Sequence, residues 1–339
     1  MMSFLADTAA APEAAANLPE RAELYRLDAN RQLSPQTQAA LGQFMTPLSV
    51  AEFMATMFRR PVTGIIRLLD PGAGVGSLTA VFIHHLLRQE QLPEQIQADL
   101  FEIDPILQSY LAQTVPSCQK ACAAGGVEFT GRVLAADFVA YAVEKARFAG
   151  SLFDPQPTTY THCIMNPPYK KIRNDSQYRQ KLRQAGIETS NLYAGFLALA
   201  VKLLAPDGEL AAIVPRSFCN GPYFQKFRQF FLQEMALKQI HLFEARNKAF
   251  QDDGVLQENV ILYAVRGAEQ GRVLITASSD AAFADMTRRE AHFAEVVRPD
   301  DPVQVIRLAA TEFEASVVAR IDTLPCSLDS LGIAVSTGP

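Results

Sequence analysis

Asn166-Pro167-Pro168-Tyr169 ends the short apolar run His162–Met165 with an amide, two prolines and an aromatic ring. The prolines remove backbone donors and stop the ladder, so the chain turns stiffly just after Asn166. The Asn166 amide and the Pro167 carbonyl can then face one cleft as two acceptors, matched to the two hydrogens of a planar amino group. Accepting both hydrogens draws that nitrogen toward tetrahedral geometry and frees its lone pair. It can then attack a methylsulfonium held in line at about 3–3.5 Å. No base is needed, because the methylated cation loses its proton to water. Tyr169 offers a flat face for a planar substrate. Taken as structure alone, the same tetrapeptide is a rigid strand-ending turn.

The other half of the chemistry lies upstream. Asp70-Pro-Gly-Ala-Gly-Val-Gly76 follows a strand and opens a helix, and Gly72, Gly74 and Gly76 let backbone approach a ligand closely. The spacing is G-x-G-x-G, and there is no Lys-bearing phosphate loop. Phe101-Glu102-Ile103-Asp104 puts an acid at the end of a second strand, where a carboxylate accepts both hydroxyls of a ribose. Ala135-Ala136-Asp137-Phe138 puts another at the end of a third, suited to the amino group of an adenine. Acids repel phosphates, so a ligand with ribose and adenine but no phosphate fits. S-adenosyl-methionine is such a ligand.

These residues meet only if their strands share an edge. Strands are expected at Thr63–Leu69, Ala98–Ile103, Glu128–Ala135, His162–Met165, Glu209–Val214, Ile240–Phe243, Asn259–Val265 and Val273–Ala277. Helices are expected at about Ser77–Gln89, Asn191–Leu204 and Tyr223–Met235, the first carrying a stripe of Leu78, Val81, Phe82 and Leu86. Alternation of this kind predicts an α/β fold, a doubly wound and mostly parallel sheet with helices on both faces. After about residue 280 the alternation fades.

At 339 residues, 49% hydrophobic and 20% charged, the chain can bury a sizeable core. Its net charge of −5 excludes a whole-surface nucleic-acid coat but not a local basic patch. Two such patches are present. Within the polar stretch 170–190, residues 170–183 hold six Lys/Arg (170, 171, 173, 179, 181, 183) against Asp175, a sum of +5. Residues 216–250 hold six (216, 226, 228, 238, 246, 248) against Glu234 and Glu244, a sum of +4. No apolar run approaches the roughly 18 residues of a membrane helix, so no spanning segment is expected. Residues 2–18 are Ala-rich, with Asp7, Pro12 and Glu13, and lack the plan of an export signal. Five cysteines without a C-x-x-C fit a reducing cytoplasm, and no metal site is expected.

The ordered set Gln43-Phe44-Met45-Thr46-Pro47, Asp70–Gly76, Glu102, Asp137 and Asn166–Tyr169 resembles the amino-group DNA methyltransferases that modify adenine, in the motif order of their gamma subgroup. Asn191–Phe196, Val214-Pro215 and Phe243–Phe250 extend the likeness, which covers roughly residues 25–270. It implies the seven-stranded-type sheet of the class I S-adenosyl-methionine-dependent methyltransferases. It also implies that Phe44, Thr46 and Pro47 enclose the methionine end of the cofactor, and that Glu102 holds the ribose. Asp137 and Phe138 would hold the adenine, with Asp70, the three glycines, Ile103 and Asn166 completing that site. Phe250 would pack against a flipped-out adenine. Extrusion costs a few kcal/mol, and stacking worth ~1–3 kcal/mol per base on Tyr169 and Phe250 offsets most of it.

From the same resemblance, Lys170, Lys171, Arg173, Arg246 and Lys248 are expected at DNA phosphates, with double-stranded DNA as substrate and a cognate restriction endonuclease as partner. The expected division is a flexible tail over 1–20, a catalytic domain over 21–280, and a linker over 281–339 toward a C-terminal DNA-recognition domain missing from this chain. Enzymes that methylate a protein glutamine amide or an RNA guanine amino group share the tetrapeptide chemistry, and a non-catalytic DNA-binding subunit is the rival from another class. Gln43–Pro47, the basic segment after Tyr169 and Phe250 favour adenine in DNA.

Overall fold

Leu68 and Leu69 are adjacent in the chain and buried on opposite faces of one sheet, as the two-residue period of a strand requires. The same split separates Ile164 from Met165 and Ala211 from Ala212. Strands covered on both faces read as continuous apolar runs rather than alternating ones. The computed structural model describes residues 17–34, 42, 44–59, 64–148, 159–244, 258–326 and 328–333.

From the N-terminus run α1 (Leu18–Gln32), α2 (Leu48–Ala55), β1 (Ile65–Pro71), α3 (Ser77–Leu86), β2 (Gln95–Phe101), α4 (Pro105–Ala124), β3 (Glu128–Leu134), α5 (Phe138–Phe148) and β4 (Tyr160–Met165). There follow α6 (Gln177–Gln184), α7 (Leu192–Leu203), β5 (Leu204–Pro215), α8 (Gln225–Glu234), β6 (Met235–Phe243), β7 (Asn259–Arg266), β8 (Arg272–Ser278), β9 (Thr287–His292), α9 (Phe293–Val296) and α10 (Glu312–Asp322). Among the described residues the nine strands form one sheet, in the order β3-β2-β1-β4-β5-β7-β6-β8-β9. β1 pairs in parallel with both β2 and β4, whereas β7 and β9 run against their neighbours. This is the expected doubly wound, mostly parallel sheet. Helices α5, α7 and α8 cover one face, and α1 to α4 cover the other.

The chain moves outward through β2 and β3 and then returns to lay β4 beside β1. At that reversal the carboxyl ends of β1, β2 and β4 open on one crevice, where open α/β sheets bind ligands. Local signals start the helices there. Asp104 caps α4 by accepting from the backbone N–H of Ile106 and Leu107, with Pro105 in the first turn. Gly76, in the left-handed region at φ 88°, precedes α3.

Two domain boundaries differ from those expected. The helix α1 starts at Leu18, inside the stretch assigned to a tail, because Leu18, Ala22 and Ala29 bury one face against the domain. The assignment of 281–339 as a linker is corrected over its first half. There β9 pairs antiparallel with β8, and Ala291, Val296, Val297, Ile306 and Ala310 join the core. The edge strand β9, Thr-Arg-Arg-Glu-Ala-His, buries only Ala291, so it carries no apolar pattern by which to recognise it. A third element, α6, lies within the basic stretch, capped by Ser176, whose hydroxyl accepts from the Arg179 N–H. Among the described residues no helix is long and apolar enough to cross a membrane, and no cluster of His, Cys, Asp and Glu could hold a metal.

Candidate active site

The glycine loop after β1 is folded against the end of β2. Gly72 and Ala73 both donate their N–H to the Phe101 carbonyl, at 2.9 and 2.8 Å. Gly74 donates to Glu102 Oε2 at 2.9 Å, and Ile103 and Asp104 donate to Glu102 Oε1, each at 2.8 Å. Burial pushes the Glu102 carboxyl up while these three donors oppose the shift. A carboxylate has about four lone-pair sites, so acceptor capacity remains for a ligand hydroxyl. The three glycines share positive φ but not a role. A Cβ at Gly74 would find nothing nearer than Met45 Cγ at 3.9 Å, whereas one at Gly76 would meet Leu111 and Thr114 of α4 at 2.9 Å. Gly74 thus keeps the cleft open, and Gly76 seats the loop on α4.

Asp70 lies beneath this loop and does not line the cleft. It is fully buried, accepts from the Thr79 hydroxyl at 2.7 Å on Oδ2, and is pushed up to about 7 by burial. Its Oδ1 has no partner among the described residues. Asp137 does line the cleft. Its Oδ1 caps α5 through the Ala140 N–H at 2.9 Å, and its Oδ2 accepts from the Tyr178 hydroxyl at 2.6 Å. Phe138 packs edge-on to Phe101 at 5.3 Å and also touches Phe196. Ile103 stands half-exposed at the lip.

The tetrapeptide closes the opposite wall. The Asn166 Nδ2 donates to the Phe44 carbonyl at 2.7 Å and to the Thr46 hydroxyl at 3.0 Å. Pro167 is buried, and Pro168 lines the cleft. A Cβ at Gly72 would lie 4.0 Å from the Asn166 carbonyl, so the two halves adjoin. Tyr169 stands off the cleft wall. Its hydroxyl donates to the Ile213 carbonyl at 3.1 Å, and its ring is flanked by Phe44 at 6.2 Å and Tyr193 at 6.3 Å. Pro47 caps α2 and does not line the cleft.

The space so enclosed is a concave, mostly apolar crevice with a few convergent polar groups, as small-molecule sites are built. Sequence reasoning missed Met45, Val75, Leu107, Tyr178 and Leu192 in its lining. Phe196 was legible as the end of the Asn191–Phe196 segment that extends the family likeness. Tyr178 carried no signal at all, being a lone aromatic in a polar stretch.

The basic patches are less free than their sums suggest. Glu188, in the same stretch, pairs with Arg179 and Arg183 and is held down at about 2 by them. Arg228 is fully buried and donates to the Phe218, Gly221 and Val303 carbonyls, so it is a brace between α8 and the chain beyond β9. Arg216 pairs with Glu258. Lys170 and Lys171 are exposed, with Lys170 on the cleft wall. Arg173 is exposed and, among the described residues, its guanidinium pairs with Asp175 at 3.3 Å. Gln43, Arg246, Lys248 and Phe250 lie outside the described residues.

S-adenosyl-methionine fits this donor set. Two carboxylates face an apolar wall, and the opening at Gly72 and Gly74 admits a close ligand. Residues 142–250 match the family model described as Eco57I restriction-modification methylase. The chain is 40% identical over 320 residues to the Type II methyltransferase M.BsuBI of Bacillus subtilis, covering 94% of this chain and 62% of that protein. To the Type II methyltransferase M.PstI of Providencia stuartii it is 39% identical over 331 residues, covering 96% and 64%. It therefore spans just under two thirds of the length of these curated relatives. The solved type IIG restriction endonuclease BpuSI shares the fold at a TM-score of 0.60 and 18% identity, over 85% of this chain and 34% of that one.

Sheet order and crevice define the class: the fold is that of the class I S-adenosyl-methionine-dependent methyltransferases. The likeness to Type II methyltransferases runs over nearly the whole of this chain, and the match to the Eco57I restriction-modification methylase model over residues 142–250.

Proposed function

We propose that this chain transfers a methyl group from S-adenosyl-methionine to the exocyclic N6 amino group of an adenine flipped out of double-stranded DNA, as the modification enzyme of a restriction–modification system. The observation that carries this reading is the meeting of the glycine loop, Glu102, Asp137 and the Asn166–Tyr169 turn in one crevice at the sheet's reversal.

Glu102 and Asp137 would hold ribose and adenine, with Phe138 and Ile103 beside the ring. When bound, the cofactor would supply a methyl group on a sulfonium as the group to be transferred. Asn166 Oδ1 and the Pro167 carbonyl accept the two amino hydrogens, and water takes the proton released afterwards. Tyr169, anchored through its hydroxyl, supplies a fixed ring for stacking, a role the resemblance extends to Phe250. Lys170, Lys171 and Arg173, with Arg246 and Lys248, meet phosphates. A cognate endonuclease would share the DNA target.

The test is labelled methyl transfer to unmodified genomic DNA, with nucleosides analysed and Asn166→Ala run beside it. Label in N6-methyladenine, lost in the variant, is expected. Label in protein or RNA under the same conditions overturns the substrate assignment. Failure to bind S-adenosyl-methionine overturns the enzyme reading and favours a DNA-binding subunit.

A further inference from the structure

We infer that Thr46, together with the Phe44 carbonyl, decides which end of the Asn166 amide faces the substrate, so that its role is to position the catalytic amide. The inference rests on the reading just given.

An asparagine amide has an acceptor end and a donor end, and a half-turn about one bond exchanges them. Only the acceptor end can take a hydrogen from an amino group; the donor end would set N–H against N–H. The Phe44 carbonyl can only accept, so the atom 2.7 Å from it must be Nδ2, and the orientation follows from chemistry rather than from choice. The Thr46 hydroxyl, 3.0 Å away, takes the second Nδ2 hydrogen. With both donor hydrogens engaged, Oδ1 is the free end.

The residues that impose this are themselves fixed. Thr46 is only 4% exposed, and Pro47 after it caps α2, whose Val50, Ala51, Met54 and Ala55 are buried. On the other side the Tyr169 N–H donates to the Gly42 carbonyl at 3.0 Å. A Cβ on Gly42, at φ +66°, would lie 2.8–2.9 Å from the Tyr169 backbone, so only glycine permits that approach. Gly42, Phe44 and Thr46 therefore grip the tetrapeptide at both ends, and the acceptor is oriented before the substrate arrives.

The experiment compares Thr46→Val, which keeps shape and removes the acceptor, with Thr46→Ser, which restores it. At saturating cofactor and DNA, Thr46→Val is expected to lower kcat about tenfold, the size of one well-placed hydrogen bond. Thr46 also lines the cleft, so cofactor affinity measured by calorimetry falls, but by a smaller factor than kcat, and Thr46→Ser recovers turnover. A loss of cofactor affinity with kcat intact, or no change in either, overturns the inference.

Should the wild-type chain transfer no methyl group, the functional reading itself fails, and the amide is then read directly. The Asn166 side-chain NH2 resonances, identified by their disappearance in Asn166→Asp, should exchange slowly in the wild type and faster in Thr46→Val. Equal exchange rates in the two proteins overturn the positioning role.

Discussion

The Tyr178 hydroxyl donates a 2.6 Å hydrogen bond to Asp137 Oδ2, and so ties helix α6 of the basic segment to the end of β3. Asp137 spends its other oxygen on the cap of α5. The carboxylate proposed to receive the cofactor's adenine is thereby held from two sides, and burial together with Asp137 pushes the Tyr178 phenol up to about 12. Tyr178→Phe should weaken cofactor binding roughly three- to tenfold, by calorimetry, with little change in melting temperature. An unchanged affinity would make Tyr178 a packing residue.

Gly74 and Gly76 offer a paired test of the loop. Gly76→Ala combines left-handed strain with a clash against Leu111 and Thr114, and should lower unfolding free energy by about 2–4 kcal/mol. Gly74→Ala meets open space, so strain of about 1–2 kcal/mol is its main cost to the fold. Its larger effect should be on cofactor affinity. Denaturant titration and calorimetry on both variants separate the two roles.

For DNA binding, the exposed Lys170, Lys171 and Arg173 should matter more than the paired Arg183. Each of the three changed to Gln should weaken affinity and reduce the slope of log K against log salt by about 1. Arg183→Gln should leave that slope nearly unchanged, since Glu188 already neutralises it. Arg228→Gln should instead destabilise the fold by about 2–4 kcal/mol, because it leaves buried carbonyls without donors. Fluorescence anisotropy over a salt series, with melting curves, distinguishes these outcomes.

His241 and Asp70 set opposite pH dependences. His241 is buried between Thr276 and Ser278, and desolvation lowers it from an ordinary 6.5 to about 4. Between those values the unfolded chain binds a proton that the folded one refuses. The stability involved is present above pH 6.5 and is lost as pH falls toward 4, about 3 kcal/mol in all. Asp70, raised from 3.8 to about 7, contributes stability below 3.8 that is lost as pH rises through 7. Urea unfolding across pH should therefore show His241→Gln flattening the loss of stability from pH 6.5 down to 4, and Asp70→Asn removing a decline in stability as pH rises from about 4 to 7.

Strand ends and their chemistry were legible because each is local. The apolar runs of β1, β4 and β5, the glycine loop, Glu102, Asp137 and Asn166–Tyr169 each announce a turn and a functional group within a few residues. Their order along the chain was enough to infer a reversing α/β sheet and a crevice with acids on one wall and an amide on the other. The edge strand β9 and helix α6 escaped notice because their residues are mostly polar and their partners distant.

By itself, then, the sequence determined eight of the nine described strands, the fold class and the kinds of group available to the crevice. Tertiary structure decided what those groups do. It turned Arg228 inward as a brace, set Glu188 against Arg179 and Arg183, put Asp70 beneath the loop, and brought Tyr178 to Asp137. It also placed the Phe44 carbonyl against an amide 122 residues further along the chain, fixing which end of Asn166 is the acceptor. Propensity and periodicity act over one or two turns of chain, whereas these pairings depend on the return of β4 to lie beside β1. Only the packed sheet supplies that geometry.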